Sequence, residues 1–424
     1  MTTLDTTKGA SPRTSVIASL PRNWKAPIAL GIFAVLAIVL FVIFGRDSTT
    51  TFTFAGKIQL PELVVSTRLS GIITAVIAVA MAVASIWFAY HKRKIPLWFS
   101  TIFAIVLVVG FLTWVASGGQ PLPVTGLLAG SLALATPLIF GALGGVVSER
   151  VGVVNVAIEG QLLAGAFVSA LVAAITKSLL LGLVSAMVAG VLVSFVLAAF
   201  SITYLVDQVI VGVVLNVLVL GLTSFFYSTV LATSPTLNQL PSFTPLPIPL
   251  LSAIPVIGPV LFDQTIIVYL MYVAIAGVFY ALFFTRWGLR VRSVGEHPQA
   301  ADTVGINVAR TRFWTVSLAG AIAGLGGAYY TIGSGLGFTI NLTNGDGFIA
   351  LAAVIFGRWN PVRATLAALL FGFATNLQYV IGDNSPIPSQ ILLMLPYVVT
   401  IFAVAGLVGQ VRAPAASGRP YIKS

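Results

Sequence analysis

"LLGLVSAMVAGVLVSFVLAAFSITY", Leu180–Tyr204, decides the fold. No charged side chain interrupts it. An α-helix rises about 1.5 Å per residue, so about 20 apolar residues cross the roughly 30 Å hydrocarbon core of a bilayer. This run is long enough. A helix satisfies its own backbone groups in lipid, whereas an open sheet cannot, and a barrel would need many short alternating strands.

The pattern recurs along the chain. Further runs are Ala26–Phe44, Leu69–Tyr90, Leu97–Ala116, Leu127–Val147, Val153–Ala174, Val209–Val230, Gln264–Phe284, Phe313–Ile332, Ala364–Ile381 and Ser389–Leu407. Gly347–Phe356 is too short to cross alone. It reads as a half-helix or re-entrant segment, admissible only where protein or a water-filled cavity shields it. The fold class is an all-α polytopic membrane protein of about 10–12 crossing helices, one discontinuous or re-entrant. Composition agrees: of 424 residues, 58% are hydrophobic and only 8% charged, against about 25% charged in soluble domains.

The net charge is +11. No basic patch carries interleaved base-stacking aromatics, so nucleic acid is not the expected partner; membrane lipid is. Basic residues instead hold loops on the cytoplasmic side. With both termini inside, only Arg46, Lys57, Arg68 and Lys177 of the 22 basic residues fall outside. Residues 1–25 form a basic cytoplasmic tail and 411–424 a second one. The first run reads as a retained signal anchor, because a long tail precedes it and no small-residue cleavage site stands out. Cysteine is absent, and His91 and His297 lie beside basic loops. There is no HExxH and no nucleophile with an evident base, so no catalytic residue and no metal ligand is expected.

Two loops stand out. Thr233–Asp263 holds Pro235, Pro241, Pro245, Pro247, Pro249, Pro255 and Pro259 and no basic residue. That density forbids one regular helix. The loop belongs outside, as a stiff connector or as a rim where an extracytoplasmic protein docks. Arg286–Arg312 lies inside and contains "GEHPQAADTVGI", Gly295–Ile306. Pro298 can open a short helix over Gln299–Val304 and Gly305 can end it. Such a helix along the membrane face is either an ordinary basic loop or a contact for a cytoplasmic partner.

Two stretches carry a resemblance. "ATPLIFGALGGVVSERVGVVNVAIEGQLLAGAF", Ala135–Phe167, and "WGLRVRSVGEHPQAADTVGINVARTRFWTVSLAGAIAGLGGAYY", Trp287–Tyr330, resemble permease subunits of bacterial ABC importers. The branch is the one holding the ribose and branched-chain amino acid permeases. "SERVGVVNVAIEGQ", "VDQVIVGVVLN" and "GFIALAAVIFGRWNP" are similar to blocks of its nucleoside (simple-sugar) permeases. The resemblance spans about Leu127–Leu407, which sets a permease domain at 121–410 and an extension of about three helices at 26–120. It implies a multi-pass protein of the bacterial cytoplasmic membrane. It also implies an ATPase subunit with two nucleotide-binding domains, a second homologous permease in a heterodimer, and an extracytoplasmic substrate-binding lipoprotein. No G-x-x-x-x-G-K-[ST] loop is present, so ATP is used by a partner subunit and no cofactor is expected on this chain. The segment Glu296, His297, Pro298, Ala300, Ala301, Gly305 and Ile306 corresponds to the loop that seats on the ATPase. Sugar or branched-chain amino acid permeases remain alternatives. So does a secondary transporter driven by protons through Glu159.

Polar residues in the apolar runs are the site candidates. Asn155 and Glu159 are four apart and would share one face of a continuous helix. Three readings stand for Glu159: it lines the solute path with Asn155, it pairs with Arg150 or caps a broken helix, or it carries a proton. Asn216, Asn341, Asn376 and Gln378 offer neutral hydrogen bonds, and Asn344 and Asp346 neighbour them. Amides with Phe338, Phe348 and Tyr379 suit an uncharged amphipathic solute; each singly could instead join helices. Asp207 and Gln208 sit near an inner boundary and read as capping groups. The stripes Gly141/Gly145 and Gly320/Gly324/Ala328 would let helices approach closely, within the chain or between subunits.

Overall fold

The computed structural model describes residues 24–56, 58, 60–93, 95–118, 121–234, 237, 241–381, 394 and 412–423. Ten helices among the described residues are long and apolar enough to cross a membrane. The run expected at Ser389–Leu407 lies outside the described residues, as does the tail before residue 24.

Two compact units divide the chain. The first holds α1 (Lys25–Ala37), prolonged by a wider π-helical turn at Ile38–Ile43, then α2 (Thr67–Tyr90) and α3 (Leu97–Val115). Gly71 lets Phe41 come close: a Cβ there would stand 2.8 Å from the Phe41 carbonyl oxygen. Trp114 Nε1 donates to the Phe44 carbonyl at 2.9 Å. Ile73, Val76, Val83, Trp98 and Ile105 are exposed, the pattern of helices that meet lipid.

The second unit takes the rest, including Ser48–Ser66, which the sequence reading had grouped with the extension. Its first elements are strands that helix-length runs could not reveal. β1 (Thr49–Thr53) pairs antiparallel with β2 (Leu63–Ser66) and parallel with β3 (Leu122–Pro123). The β-branched run "TTTFT" favours this pleated surface.

The helices are α4 (Val124–Arg150), α5 (Ile158–Thr176), α6 (Leu179–Ala198), α7 (Gln208–Phe226), α8 (Ile257–Leu261), α9 (Ile266–Phe284), α10 (Arg286–Glu296), α11 (Pro298–Thr303), α12 (Val308–Ala328), α13 (Asp346–Phe356) and α14 (Pro361–Ile381). π-helical turns prolong α6, α7 and α12. Within the Pro-rich loop, β4 (Leu246–Pro247) pairs antiparallel with β5 (Asp263–Gln264), and Phe243 N–H donates to the Ile332 carbonyl at 3.0 Å. α4, α5 and α12 are buried along most of their length and form the centre of this unit, whereas α6, α7 and α9 bury only a minor part of theirs. α12 packs on α6, α4 and α5; α14 packs on α4.

The small-residue stripes face neighbours within the chain. A Cβ on Gly324 would run into the Ala186 carbonyl and one on Gly320 into Ser194 Oγ, so the Gly320/Gly324 edge of α12 lies directly on α6. Ala328 continues that helix fully buried. A Cβ on Gly141 would be 2.9 Å from Ala350 Cβ, and one on Gly145 2.7 Å from Val354 Cγ2. Those two glycines of α4 therefore admit α13.

Candidate functional site

The run expected as one helix over Val153–Ala174 is broken. α4 ends at Arg150, Gly152 takes φ +91°, and α5 starts only at Ile158. The intervening elbow turns back along α4, because Ile158 lies beside both Gly145 and Gly141. Gly145 and Gly141 are five and nine residues before Arg150, so α5 begins about 8–13 Å inside the end of α4. α13 runs parallel to α4, Gly141 beside Ala350 and Gly145 beside Val354, and hence antiparallel to α5. Two helix starts thus meet inside the bundle.

Glu159 lies between them, in the first turn of α5. Its Oε1 accepts from Thr343 Oγ1 at 2.5 Å and from Gly345 N–H at 2.9 Å; its Oε2 accepts from Gly347 N–H at 2.6 Å. It therefore caps α13, whose approach uses left-handed turns at Asn341, Asn344 and Gly345. An acidic side chain also suits the positive ends of both helices. Gly347 packs directly on the Glu159 backbone, where a Cβ would collide. The helix-capping reading matches this geometry. The Arg150 pairing does not: Arg150 Nε donates to the Trp359 carbonyl at 2.8 Å.

Asn155 does not share a helix face with Glu159, because the elbow separates them. It is fully buried and bonds Gln161 in both directions, at 3.1 and 3.3 Å, while Gln161 Nε2 donates to Ser194 Oγ at 2.9 Å. Asn216 is tied to the elbow and the start of α5. Its Oδ1 accepts from Gly160 N–H at 2.8 Å and its Nδ2 donates to the Val156 carbonyl at 2.9 Å. Gln208 Oε1 accepts from Val154 N–H at 2.7 Å, and Ser148 Oγ donates to the Val153 carbonyl at 2.8 Å. These side chains supply the partners that an irregular backbone lacks when water is excluded. Asp207 caps α7 by accepting from Val209 and Ile210 N–H.

Asn376 Nδ2 donates to the Leu127 carbonyl at 2.7 Å and joins α14 to α4; Gln378 is half-buried near the end of α14. Phe338 is fully buried, in edge contact with Phe167. Asn341, Asn344, Phe348 and Tyr379 are exposed, the first three on the turn and first residues of α13. Sequence reasoning missed Thr343, Gly345 and Gly347 as partners of Glu159. It also missed the buried Glu149, whose Oε2 accepts from Trp359 Nε1 at 2.5 Å. Their signal is three-dimensional, apart from "NGDG", Asn344–Gly347, which marks a turn before an apolar run.

At the basic end, Thr285 caps α10 and a non-helical His297 separates it from α11. Pro298 opens α11 and Gly305 follows it at φ +85°. Glu296, His297, Gln299, Ala300, Thr303, Val304 and Gly305 are exposed; Ala301 is buried and Ile306 half-buried. The hairpin rests on the elbow, where Gly295 meets the Arg150 carbonyl so closely that no side chain would fit.

Ten apolar helices of membrane-crossing length, two helix starts that meet over a buried acid, and a short amphipathic hairpin at the basic end are features of a membrane transport subunit. The chain belongs to the branched-chain amino acid transport system / permease component family, whose model matches residues 127–404. It is 44% identical over 305 residues to the guanosine ABC transporter permease protein NupQ of Bacillus subtilis, covering 69% of this chain and 95% of that one. It is 41% identical over 309 residues to the nucleoside ABC transporter permease protein NupC of Lactococcus lactis, covering 70% and 97%. It is 33% identical over 296 residues to the putative glucose ABC transporter permease protein TsgC13 of Haloferax volcanii, covering 65% and 89%. No solved structure matches.

Proposed function

We propose that this chain is the permease subunit of an ATP-driven importer of nucleosides, alternating between outward- and inward-open states while a separate ATPase subunit hydrolyses ATP. The observation that carries the reading is the meeting of two helix starts over Glu159. Positive helix ends inside a transporter often hold an anionic group of the solute. Here Glu159 already fills that position with all three described donors. An amino acid carboxylate would be repelled, whereas a neutral nucleoside would meet the exposed amides Asn341 and Asn344 beside Phe348. The names of NupQ and NupC support the same solute class.

In this reading the Arg286–Arg312 segment faces the cytoplasm, with both termini on that side, and α11 seats on an ATPase bearing two nucleotide-binding domains. A second homologous permease completes the pore, and a substrate-binding lipoprotein delivers solute at the opposite, Pro-rich end. The basic residues of α10, α12 and the α13–α14 turn gather at one end of the unit, as orientation by positive charge requires.

The test is uptake of radiolabelled purine nucleoside, ribose and leucine. Cells would carry the complex with an intact or a dead ATPase phosphate loop, and Asn341 as wild type or Ala. Nucleoside uptake should vanish with the dead ATPase. Asn341→Ala should raise KM about five- to tenfold, the loss of one hydrogen bond of roughly 1 kcal/mol, with assembly intact. Uptake that ignores the ATPase and follows the proton gradient would overturn the mechanism; uptake of leucine alone would overturn the solute class.

A further inference from the structure

The family match stops at residue 404, and residues 414–421 beyond it are tied to the helices of the matched region. Pro414 and Ala416 are buried. Ala416 N–H donates to the Gly295 carbonyl at 2.9 Å, which satisfies one of the carbonyls left open at the end of α10. Ala415 N–H donates to Glu296 Oε2 at 3.2 Å. Gly418, at φ +74°, donates to the Gly152 carbonyl of the elbow at 3.3 Å. Arg312 Nη1 of α12 donates to the Arg419 carbonyl at 3.0 Å. The Tyr421 hydroxyl lies beside Asp302 of α11, and its ring packs against the core. Five of the eight residues 414–421 thus meet α10, α11, α12 or the elbow.

Arg312 strengthens the point. It is buried, and among the described residues its Nε and Nη2 have no partner; the hydrogen bond found for its guanidinium is the one to the tail. A buried guanidinium without acceptors is costly, so packing at the foot of α12 presupposes the tail.

A push on α11 would otherwise bend the chain at His297, where the backbone leaves the helix between α10 and α11. The tail spans that joint. We propose that residues 414–421 form a strap that locks the α10–α11 hairpin to the α4–α5 elbow, so that displacement of the hairpin moves the start of α5, and with it Glu159 and α13. The inference rests on the reading of α11 as the ATPase contact. The strap travels with the hairpin throughout the cycle; it is a positioning element and touches no solute.

Two measurements test it in the intact complex. Ala416→Pro/Gly418→Pro removes two of the tail's donors. Coupling between distant sites typically amounts to about 5–150-fold, so nucleoside molecules imported per ATP hydrolysed should fall about tenfold in the double variant while the ATPase still co-purifies. A ratio equal to wild type overturns the strap. The chain has no cysteine, so Arg290→Cys/Ile422→Cys accepts two spin labels at exposed positions of α10 and the tail, away from α11. Pulsed EPR should show one narrow distance, unchanged between nucleotide-free and ATP-trapped complexes and broadened by the proline pair. A distance that shifts on trapping overturns the proposal. This readout needs no transport, so it stands even if the solute assignment fails.

Discussion

Replacing Glu159 with glutamine preserves shape but changes one acceptor into a donor. Oε1 serves two donors and Oε2 one. The amide will therefore keep its oxygen towards Thr343 and Gly345 and turn its NH2 towards Gly347 N–H, at a position where 2.6 Å separated the native pair. A buried donor left unpaired costs about 1–3 kcal/mol. Loss of an acidic group at a helix start adds about 0.3–2 kcal/mol. The sum is about 1–5 kcal/mol. At about 2.1 cal/mol/K per residue, a chain of 424 residues would then melt about 1–6 °C lower. The assay is thermal unfolding of the purified complex in lipid nanodiscs, run beside solute KM. Tm should fall and KM should stay within about twofold, since one hydrogen bond to solute would be worth more than that. A glutamine variant with native Tm and a KM raised tenfold would refute capping and place Glu159 in the solute path.

Asn216→Ala removes both hydrogen bonds that close the elbow, leaving Gly160 N–H and the Val156 carbonyl bare; a loss of about 2–4 kcal/mol should appear as a lower Tm with an unaltered solute preference. Gly324→Leu drives a side chain into the Ala186 carbonyl and Gly190; overpacking of about 1–3 kcal/mol or more should reduce the yield of folded chain in a fluorescence size-exclusion trace, whereas Gly277→Leu, in open space, should leave that trace unchanged.

The crossing helices were legible because hydropathy and length report them directly. α11 was legible too: Pro298 and Gly305 punctuate it locally. The shortness of Gly347–Phe356 pointed to a half-helix, and α13 has 11 residues. The elbow was legible in outline: a break at "SERVG" leaves a partly unwound helix start with Glu159 at its positive end, and α5 does begin only at Ile158. What ties it down was not legible, because Gln208 and Asn216, which with Ser148 pair its irregular backbone, lie far away in sequence. The i,i+4 argument for Asn155 and Glu159 holds only on a regular helix, and Asn155 lies before the helix begins. Of the candidate path residues, Asn155, Asn216 and Asn376 proved to be buried internal ties. Residue type suggests that a polar group inside a membrane matters, but only packing tells which way it turns.

The cap on α13 also imposes an order on synthesis. Gly347 follows Glu159 by 188 residues and Asn216 follows Gly160 by 56. At about 5–20 residues per second, the elbow waits roughly 3–11 s for its amide and Glu159 roughly 9–38 s for α13. Until then α5 begins with bare donors and a lone acid in its first turn, a segment unfit to stand in lipid. The nascent chain must therefore be kept beside the insertion machinery, or in contact with water, until α7 and then α13 emerge.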